Sequence, residues 1–157
     1  MKKIIILFLM LSAIVFAEWK VAASFFGEDP ITIFATSDLV NNSIIGIGVS
    51  VELSGYSVVL MSNDEIKEGD NLILIITDNE GDDVYCNFNP EYIVDEFIQV
   101  PPNRATVLTK MLYKGKSAVL KNTDTDKILA TFDLRGIKEI MEKHVGSSYW
   151  YKYELND

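Results

Sequence analysis

The stretch 71–88, NLILIITDNEGDDVYCNF, constrains the fold more than any other part of the chain. It begins with an unbroken apolar run, Leu72 to Ile76, rich in β-branched side chains. It turns through residues 77–83 and returns over 84–88, which is the pattern of a β-hairpin. A strand wet on one side alternates apolar with polar residues, so this run is expected to be covered on both faces. Leu72, Leu74 and Ile76 would then lie buried on one side, and Ile73 and Ile75 on the other.

Two other stretches of the sequence can supply the covers. Ile45, Ile47, Val49, Val51 and Leu53 alternate with Gly46, Gly48, Ser50, Glu52 and Ser54, so one face of a strand over 45–53 meets a core. Its opposite face is small, which suits either close packing or a thin solvated surface. Ser54-Gly55 marks a turn, and 56–61 returns as a strand. Downstream, Asp133 is placed to cap a helix over 134–145. Leu134, Ile137, Ile140, Met141 and Val145 form its apolar stripe, and Gly146 would end it. This helix is the expected second cover of residues 72–76.

Further strands are expected over 18–24, 31–35, 92–100, 117–121, 128–132 and 149–153, with polar loops over 36–43 and 63–70. Pro101-Pro102 stops the strand before it. Residues 104–113 allow either an alternating strand or a short helix. The helix is favoured, because Asn103 would cap it and Gly115 stop it. Eight or more short strands with one firm C-terminal helix and a second short one predict a mainly β fold, an antiparallel β-sandwich or open barrel.

The first 17 residues read as a secretory signal peptide. Lys2 and Lys3 precede an apolar core, and Val15-Phe16-Ala17 offers a small-residue cleavage site. A single domain would then occupy 18–157, exported to the periplasm or the exterior of a bacterium, with no membrane span after cleavage. Loss of the two lysines would take the formal charge from −9 to −11. Such an acidic chain repels phosphate backbones and anionic lipid, which argues against nucleic acid and leaves a basic protein as the partner its charge fits. The single cysteine, Cys86, has no partner for an internal disulfide and reads as a small core side chain.

No catalytic constellation, cofactor motif or metal-ligand pattern emerges. The acidic turn Asp78-Asn79-Glu80-Gly81-Asp82-Asp83 is rich in oxygen ligands but lacks the closing glutamate of a calcium loop. Asn122, Asp124 and Asp126 have calcium-loop spacing, yet Lys127 sits where glycine belongs. His144, the one histidine, has no evident partner in sequence. Tyr149, Trp150, Tyr151 and Tyr153 form the candidate partner surface, since Tyr and Trp bury much area at low entropic cost.

At Phe132-Asp133-Leu134-Arg135-Gly136, a last strand running into a short amphipathic helix, the chain resembles two related groups of small exported β-sandwich proteins. These are the invasion-associated locus B proteins and the small periplasmic accessory proteins of type VI secretion loci. Trp19 near the mature start, two hairpins, a short helix and a strand pair follow the same order. Members generally carry paired cysteines, whereas this chain has Cys86 alone. The resemblance implies an exported, non-enzymatic protein and carries over no catalytic residue. The expected role is therefore a soluble binding or accessory protein of the cell envelope, acting through protein–protein contact. The alternatives are an envelope hydrolase using acidic loop residues, or a calcium- or ligand-binding module.

Overall fold

The computed structural model of the chain describes residues 18–50 and 57–145, and these form two antiparallel sheets with two helices. Four strands follow one another in the first sheet: β1 (Lys20–Phe26), β2 (Asp29–Asp38), β3 (Ser43–Ser50) and β4 (Ser57–Ser62). The hairpin β5 (Leu72–Asp78) and β6 (Asp83–Asn87) starts the second sheet. The chain then returns to the first sheet as β7 (Ile93–Val94) and β8 (Phe97–Val100). Helix α1 (Pro102–Lys114) leads to the hairpin β9 (Gly115–Asn122) and β10 (Lys127–Asp133), and α2 (Ile137–Val145) follows. The strand orders are β1-β2-β3-β4-β8-β7 and β10-β9-β5-β6. This is the mainly β sandwich with a C-terminal helix that the sequence predicts.

The sandwich core lies between the sheets. Phe34, Ile45, Ile47, Val49, Val59 and Met61 of the six-stranded sheet meet Leu72, Leu74, Ile76, Leu120 and Phe132 of the four-stranded one. Burying each such side chain stabilises the fold by about 1.5–3 kcal/mol. Both helices add to this same core, α1 through Ala105, Leu108 and Leu112, α2 through Ile137 and Met141.

That placement corrects the expected cover of β5. Leu72, Leu74 and Ile76 are buried, but Ile73 and Ile75 are only half-buried. Helix α2 packs with the inner cluster and against β2, so it does not lie over their face. The strand buried on both sides is β3, all eight of whose residues are buried. Its small face is closely packed: a Cβ at Gly48 would stand 2.8 Å from Val58 Cγ2 and 2.9 Å from Ile31 Cδ1.

Residues 104–113 are helical, and the helix signals differ from those anticipated. Pro102 occupies the first turn of α1 and Pro101 is the N-cap, so Asn103 lies inside the helix. Proline suits that first turn because its missing N–H has no intrahelical partner there. Gly115 follows in an extended conformation, φ −78°, ψ 150°. A side chain there would force its neighbours to shift, since its Cβ would lie 2.6 Å from Leu134 Cδ1 and 2.9 Å from Ile76 Cγ2. Helix α2 starts three residues later than predicted. Asp133 accepts the N–H of Arg135 and pairs with its guanidinium, and Gly136 takes φ +90°, which breaks the helical path before Ile137.

Two polar side chains bind the sheets together at one end. Asn63 is 1% exposed, and its Nδ2 donates to the Leu129 carbonyl of β10 at 3.0 Å and to Ser43 Oγ at 2.6 Å. Asp38, at the end of β2, accepts the N–H of Thr131 in β10 at 2.7 Å and closes the β2–β3 turn through Val40 and Asn41. Burial alone would raise the Asp38 carboxyl. The Asn41 amide and the N–H groups of Thr131, Asn41 and Val40 together hold it below the usual 3.8. Because the folded value is depressed, its contribution is present above pH 3.8 and is lost as pH falls through the folded value. Asp38→Asn is therefore expected to lower the melting temperature at pH 6, with a deficit that narrows toward pH 2. A deficit independent of pH would refute this role.

Candidate binding surface

Among the described residues, strand β6 is the outer strand of the four-stranded sheet, and its side chains are largely exposed. The hairpin register fixes which backbone groups face outward. Phe88 N–H donates to the Leu72 carbonyl and Asp78 N–H to that of Asp82, while Leu74 pairs with Cys86 and Ile76 with Val84. Hydrogen-bonded pairs alternate along an antiparallel ladder, so Cys86 and Val84 are bonded to β5. The N–H and C=O groups of Asp83, Tyr85 and Asn87 then point away from the sheet and pair with no described strand. Tyr85 is 59% exposed and Val84 38%.

Beside this edge runs a groove of about 350 Å³ between β6 and α1. Tyr92, Val107, Met111 and Phe88 give it apolar walls, and Cys86 and Arg104 lie in it. Helical spacing brings Arg104, Val107 and Met111 to one side of α1, and the loop after β6 supplies Phe88 and Tyr92. Burial pushes the Cys86 thiol up, against the opposing pull of the Arg104 guanidinium. Cys86 is thus a half-buried, protonated side chain, and the basic neighbour that its sequence surroundings lack comes from α1.

A second cleft, of about 550 Å³, opens between α2 and the end of α1. Tyr113 donates its hydroxyl to Glu142 Oε1 at 2.5 Å there, with Lys114, Arg135 and Lys138 nearby. Its two carboxylates, Glu139 and Glu142, stand three residues apart on α2. Glycoside hydrolysis needs carboxyls facing one another across the substrate, an arrangement that one helix face does not give.

The acidic turn gathers Asp78, Glu80 and Asp82, whose carboxylate oxygens lie within 4.8 Å of one another. The gathering follows from the turn itself. Asp78 Oδ1 accepts the N–H of Glu80 at 2.8 Å and of Asp82 at 2.9 Å. The N–H of Asp82 above all, with those of Glu80 and Gly81, holds the Asp78 carboxyl below the usual carboxylate range. Calcium takes six to eight oxygens, of which one exposed turn supplies few.

The 122–126 turn uses its oxygens likewise. Asn122 Oδ1 accepts the N–H of Asp124 and Thr125, Asp124 accepts from Asn71, and Asp126 pairs with Lys121. His144 sets its ring edge-on to Phe34, with centroids 6.2 Å apart. Tyr149, Trp150, Tyr151 and Tyr153 lie outside the described residues.

The β6 groove has no signature in sequence. Val84-Tyr85-Cys86 reads as an ordinary return strand, and only the strand order shows that nothing described pairs with it. Among the described residues, no helix is long and apolar enough to cross a membrane. Comparisons with protein-family models, curated proteins and solved structures found no match.

Proposed function

We propose that the chain is an exported, non-enzymatic binding protein of the bacterial cell envelope, and that β6 with its groove receives an extended segment of a partner protein. The β6 edge, which no other described strand pairs, carries this reading. An incoming strand gains main-chain hydrogen bonds from Asp83, Tyr85 and Asn87, and alternate side chains enter the groove beside Tyr92, Val107 and Met111. Edge strands are ordinarily guarded by proline, bulges or inward charges. Strand β6 has no proline and pairs in regular register with β5.

The partner segment is apolar at alternate positions and basic where it passes Asp82 and Asp83. Its charge also complements a chain of net charge −9. The resemblance to small exported accessory proteins agrees with such a role, and the acidic composition fits a basic partner rather than a polyanion.

Tyr85→Pro tests the proposal sharply. It removes an outward donor and no bond to β5, so the fold is expected to survive. Cross-linked capture from the native cell envelope should then recover a partner with the parent protein and roughly tenfold less with the variant, a loss of about 1.4 kcal/mol. Equal capture by a folded Tyr85→Pro protein would sink the β6 assignment. Loss of the partner only on changing Tyr149, Tyr151 and Tyr153 to Ser would move the surface to the C-terminal aromatic segment.

A further inference from the structure

Among the described residues β6 has a neighbouring strand on one side only, and it has neither proline nor bulge to keep a second strand from joining it. Its sequence suits one joiner in particular. The outward backbone groups belong to Asp83, Tyr85 and Asn87, which stand symmetrically about Tyr85. An antiparallel copy of β6 centred on Tyr85 sets Asp83 opposite Asn87, Tyr85 opposite Tyr85 and Asn87 opposite Asp83. All of these are hydrogen-bonded pairs of an antiparallel ladder. A shift by one pair in either direction loses a partner, and centring on Asp83 would oppose two aspartates.

We infer that, with no partner segment bound, β6 pairs in this register with β6 of a second copy of the chain, and that this copy must leave before the partner enters. The inference rests on the reading of β6 as a binding edge and adds what occupies that edge beforehand. The two four-stranded sheets join into one continuous sheet about a two-fold axis, each copy offering the surface it meets.

Side chains fit the pairing. Tyr85 shares the outer face with Ile75, its partner in β5, so a row Ile75, Tyr85, Tyr85, Ile75 crosses the axis. Aromatic cross-strand pairs of this kind stabilise a sheet. On the other face Val84 of the copy stands opposite Cys86, beside the groove that Val107 and Met111 wall.

Charge fits as well. Helix α1 ends at Lys114, and Gly115 is in register with Asp78, so its first turn lies at the far end of the hairpin, beside Phe88. Asp82 of the copy falls opposite Phe88. Arg104 waits there, exposed, and no carboxylate among the described residues pairs with it. The first turn of α1 also holds no acidic residue and no side-chain cap, so it favours an incoming negative charge. Asp82 gains from the meeting, because its carboxylate is crowded by those of Asp78 and Glu80. The two acidic turns themselves lie at opposite ends of the paired strands. Five residues set them about 17 Å apart, beyond the ~8 Å reach of charge at physiological salt.

The copy leaves Asp83 facing only the uncharged Asn87. A basic partner segment adds a charge pair at that place and so displaces the copy.

Sedimentation velocity of the exported protein, from about 1 µM to about 1 mM, should show monomer passing into dimer, as a small and weak interface requires. Tyr85→Pro, and separately Arg104→Glu on the exposed side of α1, should each weaken the dimer roughly tenfold with the melting temperature unchanged. Val84→Cys tests the register. Position 84 and Cys86 of the other copy form a non-hydrogen-bonded pair, whose Cα separation of about 4.5 Å admits a disulfide. Mild oxidation should cross-link the Val84→Cys protein between position 84 and Cys86 of two copies, and leave the parent, whose Cys86 faces Val84, uncross-linked. A synthetic peptide of alternating valine and lysine should suppress the cross-link, and one of alternating valine and glutamate should not.

A parent that stays monomeric over that range, or a folded Val84→Cys protein without this cross-link, would overturn the self-pairing. Partner capture that is still lost in Tyr85→Pro would then leave the β6 assignment standing. A dimer untouched by both Tyr85→Pro and Arg104→Glu would place the contact elsewhere and overturn the inference, and equal suppression by the two peptides would overturn displacement by charge.

Discussion

Leu74→Ala is expected to destabilise the protein by about 2–5 kcal/mol, whereas Ile75→Ala, one residue along the same strand, should cost about 1 kcal/mol or less. Leu74 is 0% exposed, between Leu120 of β9 in its own sheet and the facing sheet. Its loss removes transfer free energy and leaves a cavity that a close-packed core fills only in part. Ile75 points to the outer face of the four-stranded sheet and is half in water already. Urea unfolding of the two variants gives the comparison directly. Equal costs would mean that β5 is covered on both sides, as its unbroken apolar run suggests, and that the outer face of this sheet is not open.

The same pair shows what pattern reasoning reaches in this chain. The hairpin of β5 and β6 was legible because β-branched density, a polar turn and an apolar return all point one way. So was the sandwich class, from the number of short strands. Which strand is buried twice was not legible. A continuous apolar run is read as a central strand, but Ile73 and Ile75 occupy a half-exposed face. In β3 the alternation of Ile with Gly46 and Gly48 looks one-sided because glycine shows no side chain to a hydropathy reading. The face above Gly48 is filled by side chains of neighbouring strands, Ile31 and Val58. Burial at Gly48 belongs to the register of β2, β3 and β4, which is a long-range property.

Helix boundaries failed for a related reason. The signal at Asp133 is an Asx-type turn with Arg135, and only the φ of Gly136 shows that the helix waits until Ile137. The candidate site was the least legible part. An open edge is defined by what is missing beside a strand, and no local spacing encodes it. Asn63 and Asp38 were read as loop residues for the same reason. Their partners Leu129 and Thr131 lie more than sixty residues away.

Asn63→Leu should be among the most damaging single substitutions, costing roughly 3–5 kcal/mol, a large share of the ~5–15 kcal/mol by which a domain is ordinarily stable. The two Nδ2 hydrogens of the amide donate to Ser43 Oγ and the Leu129 carbonyl, with the Asn41 carbonyl a longer, shared contact at 3.3 Å, and its Oδ1 accepts the N–H of Glu65 at 2.8 Å. Leucine has similar volume, so the loss falls on polar groups left without partners in a site that is 1% exposed. Each orphaned buried group costs about 1–3 kcal/mol.

Asn63→Asp separates this account from simple loss of packing. It keeps the acceptor for Glu65 but turns a carboxylate toward two carbonyls, so the ionised form is disfavoured and its folded pKa is raised. A group with a raised folded value adds stability that is full below its unfolded pKa of about 3.9 and lost as pH rises through the folded one. The deficit of Asn63→Asp relative to the parent should therefore be large at pH 7 and shrink toward pH 4, where the protonated carboxyl donates to Leu129. A deficit that stays constant over that range, or an Asn63→Leu cost under 1 kcal/mol, would show that this side chain does not tie the two sheets together.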